Sequence, residues 1–501
     1  MKREYFAYGS LLEALSFGLY PDKRHVLREF IQNAFDAIND FKKISEQSFD
    51  DSIEIKIEPS SIFIADKGMG MDETEVKKYR FIGYSEKDGS KTVGFRGIGK
   101  DSGLSVAEKI IVTTSKNGIP KQYMIVIDAK AMLDEISQKR NPPLDEILEK
   151  HSDISENHEK KDAHYTFVEL HKIRKDAKVL FEINKVKEYI SRNCPVSFDP
   201  NFKYAKLIET QLKTYVSNYS SVNINLNGEC IFKPFSKNYS EPEYEHIFKS
   251  DEEDDPVAFC WYCGNTEKGQ FADKENSGLV YRVKNFSIGD RFLTRNTLWL
   301  ASPERAFYFF GEIHLINPTV IPSTDRTNFE DNEARERLYD RCRRIAQVLN
   351  RRALIETDQR RFEEKTEKTG SIIIEKKRLF SKTKISDSLK SDIEFQIKKS
   401  IEDLEQRLKR VKGRRKQIKK DKILVKTADR VVKDGQKFLK EIASNKYFYK
   451  IEDLLEFNKE SRIVYNVIIN CIRDELKNIP ELLERLITKI DQELMKKFTN
   501  V

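Results

Sequence analysis

Cysteine is scarce in this sequence of 501 residues: Cys194, Cys230, Cys260, Cys263, Cys342 and Cys471 are too few and too scattered for a disulfide framework. Long apolar runs are absent as well. The longest, Ile463 to Ile472, lies between Arg462 and Arg473 and is half of a membrane span. The N-terminal Met1-Lys2-Arg3-Glu4 lacks the apolar core of a signal peptide, because Glu13 interrupts the only candidate, Leu11 to Leu15. A soluble, cytoplasmic protein without a membrane partner is expected. Glycine and proline number only 20 and 14, which excludes collagen-like and low-complexity classes. With 39% hydrophobic residues, the chain can fill two or three domain cores.

What is present is unevenly placed. Residues 68 to 103 hold eight of the 20 glycines, whereas residues 349 to 501 hold only Gly370, Gly413 and Gly435, with the single proline Pro480. Glycine serves where backbone approaches something closely or takes positive φ, so the early cluster is where a ligand is expected. Cys260 and Cys263 form a lone C-x-x-C around Trp261-Tyr262 that reads as strand residues, with a metal or redox pair as the alternative.

Three regions follow from periodicity. Residues 1–175 alternate a long helix near 24–43 with strands at Ile53–Ile57, Ser61–Ala65, Lys109–Thr114, Gln122–Asp128 and Tyr165–Leu170, an α/β sandwich pattern with a helix and loop inserted over 131–163. Residues 176–332, with short strands at Val222–Gly228 and Gly278–Val283, read as a second α+β domain. Residues 333–501 read as an all-α region. There, Ile397, Ile401, Leu404, Leu408, Val411, Arg415, Ile418, Lys422 and Val425 follow a heptad, which predicts a coiled coil over about 397–425. An intramolecular hairpin and an intermolecular seam both fit it. Farther on, apolar stripes on either side of Pro480 predict two antiparallel helices.

On the first long helix Glu29, Asn33 and Asp36-Ala37 share one face. The strand ending at Ala65 runs into Asp66-Lys67-Gly68-Met69-Gly70-Met71-Asp72, an acid at a strand end beside two glycines. A second glycine loop, Gly94-Phe95-Arg96-Gly97-Ile98-Gly99-Lys100, leads into an apparent helix from Ser102. Its successive N–H groups suit a phosphate. Each feature alone is weak, but their order and spacing resemble the ATP-binding domain of gyrase-type topoisomerases, ninety-kilodalton heat-shock chaperones, histidine kinases and MutL proteins, the GHKL or Bergerat fold. The resemblance covers roughly residues 11 to 170. The chaperones are the most similar branch: Val26-Leu27-Arg28-Glu29-Phe30-Ile31-Gln32-Asn33-Ala34-Phe35-Asp36-Ala37-Ile38 follows their L-R-E-L-x-x-N-A-x-D-A-L pattern, and Val106 to Val112 is similar to their stretch after the glycine loop. Phe95-Arg96-Gly97 is more similar to MutL proteins.

The resemblance implies ATP and Mg²⁺ as ligands. It assigns Glu29 as general base, Asn33 as the Mg²⁺ ligand, Asp36 and Ala37 as support, and Asp66 as acceptor for the adenine amino group. It gives Gly68, Gly70 and Met71 to the purine and Thr166 to the support of Asp66. Gly94, Arg96, Gly97, Ile98, Gly99 and Lys100 would line the triphosphate within a lid from about Gly83 to Gly99. Glu29 stands where histidine kinases usually carry asparagine, which favours hydrolysis over phosphotransfer. Arg326, in Pro322-Ser323-Thr324-Asp325-Arg326-Thr327-Asn328-Phe329, is similar to a middle-domain arginine that senses the γ-phosphate; a plain surface arginine or an ion pair with Asp325 fits equally.

The net charge is +8, yet residues 406–422 alone carry ten Lys or Arg and one Asp. Such a run is a solvated helix face or a contact for phosphate backbone or a partner, with Arg407, Lys409, Arg410, Arg414 and Arg415 as candidates. The function expected is an ATP-driven molecular clamp, homodimeric through its N-terminal domains, acting on a protein client or partner subunit such as a nuclease or helicase, including in bacterial defence. The alternatives are a MutL- or MORC-like DNA-associated ATPase using the basic helix, and a nucleotide-binding scaffold without turnover.

Overall fold

In the computed structural model the described residues are 22–45, 48–79, 99–138, 143–235, 239–248, 256–267, 269–382, 385–413, 419–444, 448–449, 459–476 and 478–498. The chain divides into two compact units, Met1–Arg351 and Arg352–Val501.

In the first unit the strands are β1 (Ile53–Glu58), β2 (Ser61–Asp66), β3 (Ala107–Ser115), β4 (Lys121–Ile127), β5 (Ser152–His158), β6 (Tyr165–Ile173), β7 (Ile224–Leu226) and β8 (Glu229–Ile231). They form one eight-stranded sheet in the order β5-β4-β3-β6-β2-β1-β7-β8. Ile53 and Ile55 alternate with exposed Glu54 and Lys56 along β1, so one face of that strand enters the core and the other does not. Over the sheet lies helix α1 (His25–Lys42), whose Val26, Leu27, Phe30, Ile31, Ala34, Phe35 and Ile38 are buried in the same core as Ile55, Ile64, Val112 and Leu170. Their helical spacing is what holds Glu29 and Asn33 in a fixed orientation.

Two local readings change. Ser152–His158, expected as loop, is an edge strand paired antiparallel with β4. Its backbone bonds do the pairing while most of its side chains face water, so no apolar alternation marks it in the sequence. The helix expected from Ser102 is a short 3₁₀ segment, Gly99–Ser105, because the chain turns into β3 at Ala107.

The first sheet also continues past residue 175. β7 pairs parallel with β1, and the β7–β8 hairpin closes at Asn227-Gly228, both at positive φ (50° and 83°). Asn227 is tied back to β1, its N–H donating to the Ile55 carbonyl (2.8 Å) and its Oδ1 accepting from the Ile57 N–H (2.8 Å). A second sheet follows, of β9 (Glu243–Phe248), β10 (Pro256–Gly264), β11 (Gly278–Val283), β12 (Phe286–Ile288) and β13 (Phe309–Leu315), in the order β12-β11-β13-β10-β9. Phe286 of β12 meets Phe35 of α1 edge-on at 5.4 Å, so the second sheet packs directly behind the helix that carries Glu29. Cys260 and Cys263 are buried on β10, three residues apart and therefore on opposite faces.

The second sheet encloses an ionic cluster. Glu312, on β13, accepts from Lys233 through both oxygens (2.8 Å each), from Arg282 Nε (2.8 Å) and lies 3.0 Å from His314 Nε2, all of them buried. Burial opposes its ionisation, yet Arg282 and Lys233 hold its carboxyl well below the ordinary range.

In the second unit the helices are Asp387–Lys412, Lys419–Ala443, Lys459–Leu476 and Pro480–Phe498, together with the distal part of the long helix Glu333–Lys382. The heptad positions Ile397, Ile401, Leu404, Leu408 and Val411 are buried in a core shared with Ile373, Val432, Phe438, Ile469 and Ile487 of the other helices. The stripe is thus consumed within the chain. Tyr465 near the start of one helix donates to Asp491 Oδ1 near the end of the next (2.7 Å), so the pair flanking Pro480 runs antiparallel. The basic run is not one helix: Arg407, Lys409 and Arg410 end the helix at Lys412, and Lys419 opens the next. Gly413, whose N–H still bonds the Lys409 carbonyl (3.0 Å), stands where glycine commonly terminates a helix. No helix among the described residues is long and apolar enough to cross a membrane.

Candidate active site

Helix α1 carries Glu29, Asn33 and Asp36 on one face. Glu29 and Asp36 are buried, and Asn33 and Ala37 are half-buried. Burial pushes the Glu29 carboxyl above its ordinary range; Arg326 and Arg28 pull it back, and Asp36 pushes it further up. Arg28 is itself buried and anchored across the unit, donating from Nη2 to the Ser287 carbonyl at 2.6 Å.

Asp66 ends β2, buried, and its Oδ1 accepts from the Gly68 N–H at 2.8 Å. Strand register places Thr166 beside it on β6, and Thr114 beside Thr166 on β3. The Thr114 hydroxyl donates to the Tyr165 carbonyl (2.9 Å), lies 3.3 Å from the Thr166 hydroxyl and accepts from the Met71 N–H (3.0 Å). Sequence reasoning misses Thr114, whose only signal is this register across three strands that are far apart in the chain.

The glycines after Asp66 serve the protein's own backbone. A Cβ on Gly68 would lie 2.6 Å from the backbone carbon of Ala37, and one on Gly70, at φ +69°, would lie 1.8 Å from the Ser115 carbonyl oxygen. Met69 donates its N–H to the Ala37 carbonyl (3.0 Å), which clamps this loop onto α1. The close approach expected of these glycines is there, but what comes close is helix and strand.

Arg326 comes from the segment between β13 and the long helix, buried and at φ +60°. Its N–H donates to the Ser323 carbonyl (3.0 Å) and its carbonyl accepts from Gly289 (2.8 Å). Asp325 bonds the Ser323 and Thr327 hydroxyls (2.6 and 2.7 Å), holding the turn. The arginine is therefore not a surface residue.

The structure thus brings Glu29, Asn33 and Asp36 together on α1 and Asp66, Met71 and Thr166 together at the strand ends. Arg326 joins the first group from the second sheet's side. Gly99 and Lys100 open the 3₁₀ segment. Gly94, Arg96, Gly97 and Ile98, with most of the expected lid, and Arg414 and Arg415 lie outside the described residues. Lys409 and Arg410 are exposed and Arg407 is half-buried in the second unit, at a helix end.

Residues 22–166 match the family described as histidine kinase-, DNA gyrase B-, and HSP90-like ATPase. This segment is a GHKL-type ATPase domain. It is similar to Chaperone protein HtpG of Sulfurovum sp. (strain NBC37-1), 32% identical over 143 residues, which are 24% of this chain and 23% of that protein. The corresponding protein of Clostridium perfringens (strain 13 / Type A) is 35% identical over 143 residues, 24% and 23% of the two chains. That of Borreliella afzelii (strain PKo) is 31% identical over 157 residues, 27% and 26%. The similarity spans about a quarter of these relatives' length. The second sheet and the helical unit lie beyond the matched residues, although Arg28 and Phe35 of the GHKL domain pack on β12.

Proposed function

We propose that the chain is a Mg²⁺-dependent ATPase working as a clamp, with the GHKL domain as its motor and the second sheet as the lever that reads the γ-phosphate. The observation that carries this reading is the charge arrangement at Glu29. A buried carboxylate made more basic than an exposed one, with an arginine of a later segment acting on it, suits a base that must take a proton from water.

In this reading Asp66 accepts a hydrogen bond from the adenine amino group, and Thr166 and Thr114 fix the strand ends around it. Glu29 removes a proton from the attacking water as its oxygen reaches the γ-phosphorus and the bond to ADP breaks. Arg326 balances charge that gathers on the transferring phosphoryl group. The Glu29, Asn33 and Asp36 side chains offer oxygen atoms, which fits a hard cation, and Asn33 would hold it. Such a cation would supply charge neutralisation to the bound phosphates. Nucleotide binding would close the lid from about Gly83 to Gly99, pair two N-terminal domains and act on a protein client, in keeping with the chaperone name of the relatives. Phosphate release that needs Mg²⁺, with a non-hydrolysable ATP analogue shifting the full chain from monomer to dimer in light scattering, tests the clamp. An unchanged mass with bound analogue contradicts it.

A second reading keeps the ATPase but gives it DNA, favoured by the exposure of Lys409, Arg410 and Lys412 at the helix end. Duplex stimulation of turnover that falls steeply with salt would mark it, and stimulation by a protein partner at any salt would exclude it.

A further inference from the structure

Between the start of α1 and the second sheet the first unit forms an open cavity of about 560 Å³. Asn33, Asp36, Asp66 and Thr166 do not line it, so of the proposed nucleotide site it shares only Arg326. Eight Lys or Arg line it against four Asp or Glu. Three of the cations are satisfied by carboxylates: Arg24 by Asp22 (2.8 Å), Arg192 by Glu275 (2.8 Å), and Arg282 by Glu312 (2.8 Å). Asp290 is used otherwise, capping a helix by accepting from the Phe292 and Leu293 N–H groups (2.8 and 3.1 Å).

Arg28, Lys274, Arg291 and Arg295 have no such partner; among the described residues none of them forms a salt bridge. Arg28 bonds only the Ser287 carbonyl, and its Nε, like that of Arg295, is buried with no hydrogen-bond partner. Arg291 donates to the Gly278 carbonyl and lies over the Phe310 ring at 4.6 Å. Arg295 and Lys274 both lie over Phe307, at 5.3 and 5.6 Å. Burial lowers the Arg291 pKa to about 10, and Glu312, the acid that opposes this most, is already held by Lys233 and Arg282. Guanidinium groups withdrawn from water without counter-charge are costly, and a bound anion removes that cost.

We propose that this cavity is a second ligand site, one that binds a phosphate-bearing anion through Arg28, Arg291, Arg295 and Lys274. Arginine forks match phosphate oxygens in pairs, and the ring of Phe307 offers a face to a planar group. The volume lies within the roughly 300–1,000 Å³ of small-molecule pockets, enough for a nucleotide-sized organic phosphate as well as for free phosphate. The free phosphate could be the product of the neighbouring hydrolysis, and only that source rests on the ATPase reading. Because Arg28 adjoins Glu29 and Arg326 also lines the cavity, an occupant would change the field at the catalytic carboxylate.

Calorimetric titration of the full chain, with the nucleotide pocket saturated by a non-hydrolysable ATP analogue, tests the site. Inorganic phosphate, pyrophosphate and 5′-GMP are the probes. Lys274 is exposed and Arg295 half-buried, so K274Q/R295Q is the informative variant, checked by its unchanged affinity for the analogue. The expected result is pyrophosphate binding that weakens at least tenfold in the variant. Binding of free phosphate as tight as that of 5′-GMP assigns the site to released product; tighter 5′-GMP assigns it to a separate organic phosphate. No pyrophosphate binding to the analogue-saturated chain, or binding the variant leaves intact, overturns the proposal.

Discussion

Arg326, in the segment after β13, acts on Glu29 of α1: its positive charge opposes the upward shift that burial imposes on the Glu29 carboxyl. One residue belongs to the GHKL domain and the other to the segment after β13, so the basicity of the proposed base depends on how the two parts of the first unit pack.

The acid limb of turnover follows from this. A general base works only when deprotonated, and a raised pKa means that proton is lost at a higher pH than for a free glutamate. The limb of kcat should therefore fall above the ordinary carboxylate value of 4.5. Arg326→Ala removes the largest opposing influence, so its limb should move to still higher pH, with kcat lowered by about 10²-fold or more. A pH–rate profile of both proteins checks it; a limb that stays in place in the variant would show that the arginine does not act on Glu29.

Asp66→Asn should weaken ATP binding by roughly 10- to 100-fold, the range of a hydrogen bond to a charged acceptor. Thr114→Val should weaken it less, by about 1 kcal/mol, because that hydroxyl positions Met71 and the strand ends without being assigned to the nucleotide. Equilibrium binding of a fluorescent ATP analogue compares the two, and equal losses would contradict the distinction.

Gly70→Ala should destabilise the first unit by about 1–3 kcal/mol. The new Cβ meets the Ser115 carbonyl, and φ is +69° there, a conformation alanine disfavours. Chemical denaturation measures this with no nucleotide present, which separates the effect from any loss of binding.

Glu312→Ala should cost about 3–5 kcal/mol, since it leaves Lys233 and Arg282 buried without their shared counter-charge. Glu312→Gln, which keeps the shape, should recover little of it. Thermal unfolding of the three proteins reads the difference.

Much of the candidate site is legible in the amino-acid sequence through the family resemblance. Helical spacing puts Glu29, Asn33 and Asp36 on one face and Asp66 ends a strand, but it is the resemblance that joins them in one site. Thr114 is hidden because strand register is a property of the sheet, and nothing near Thr114 in the chain points to Asp66. The polar strand Ser152–His158 is hidden for a related reason: an edge strand needs backbone partners, not an apolar stripe. The continuation of the first sheet into Ile224–Ile231 depends on parallel pairing with β1, which no local pattern records. Arg326 is visible only as one of several readings, because burial of a loop arginine is decided by what packs over it.

Everything proposed for turnover rests on Glu29 as the group that activates water. Steady-state phosphate release by the full chain and by its Glu29→Gln variant, with ATP affinity measured on both, isolates that role. If Glu29 is the base, the variant binds ATP within a few-fold of the parent and loses about 10²- to 10⁴-fold in turnover. Turnover that survives in the variant at the parental rate would contradict it.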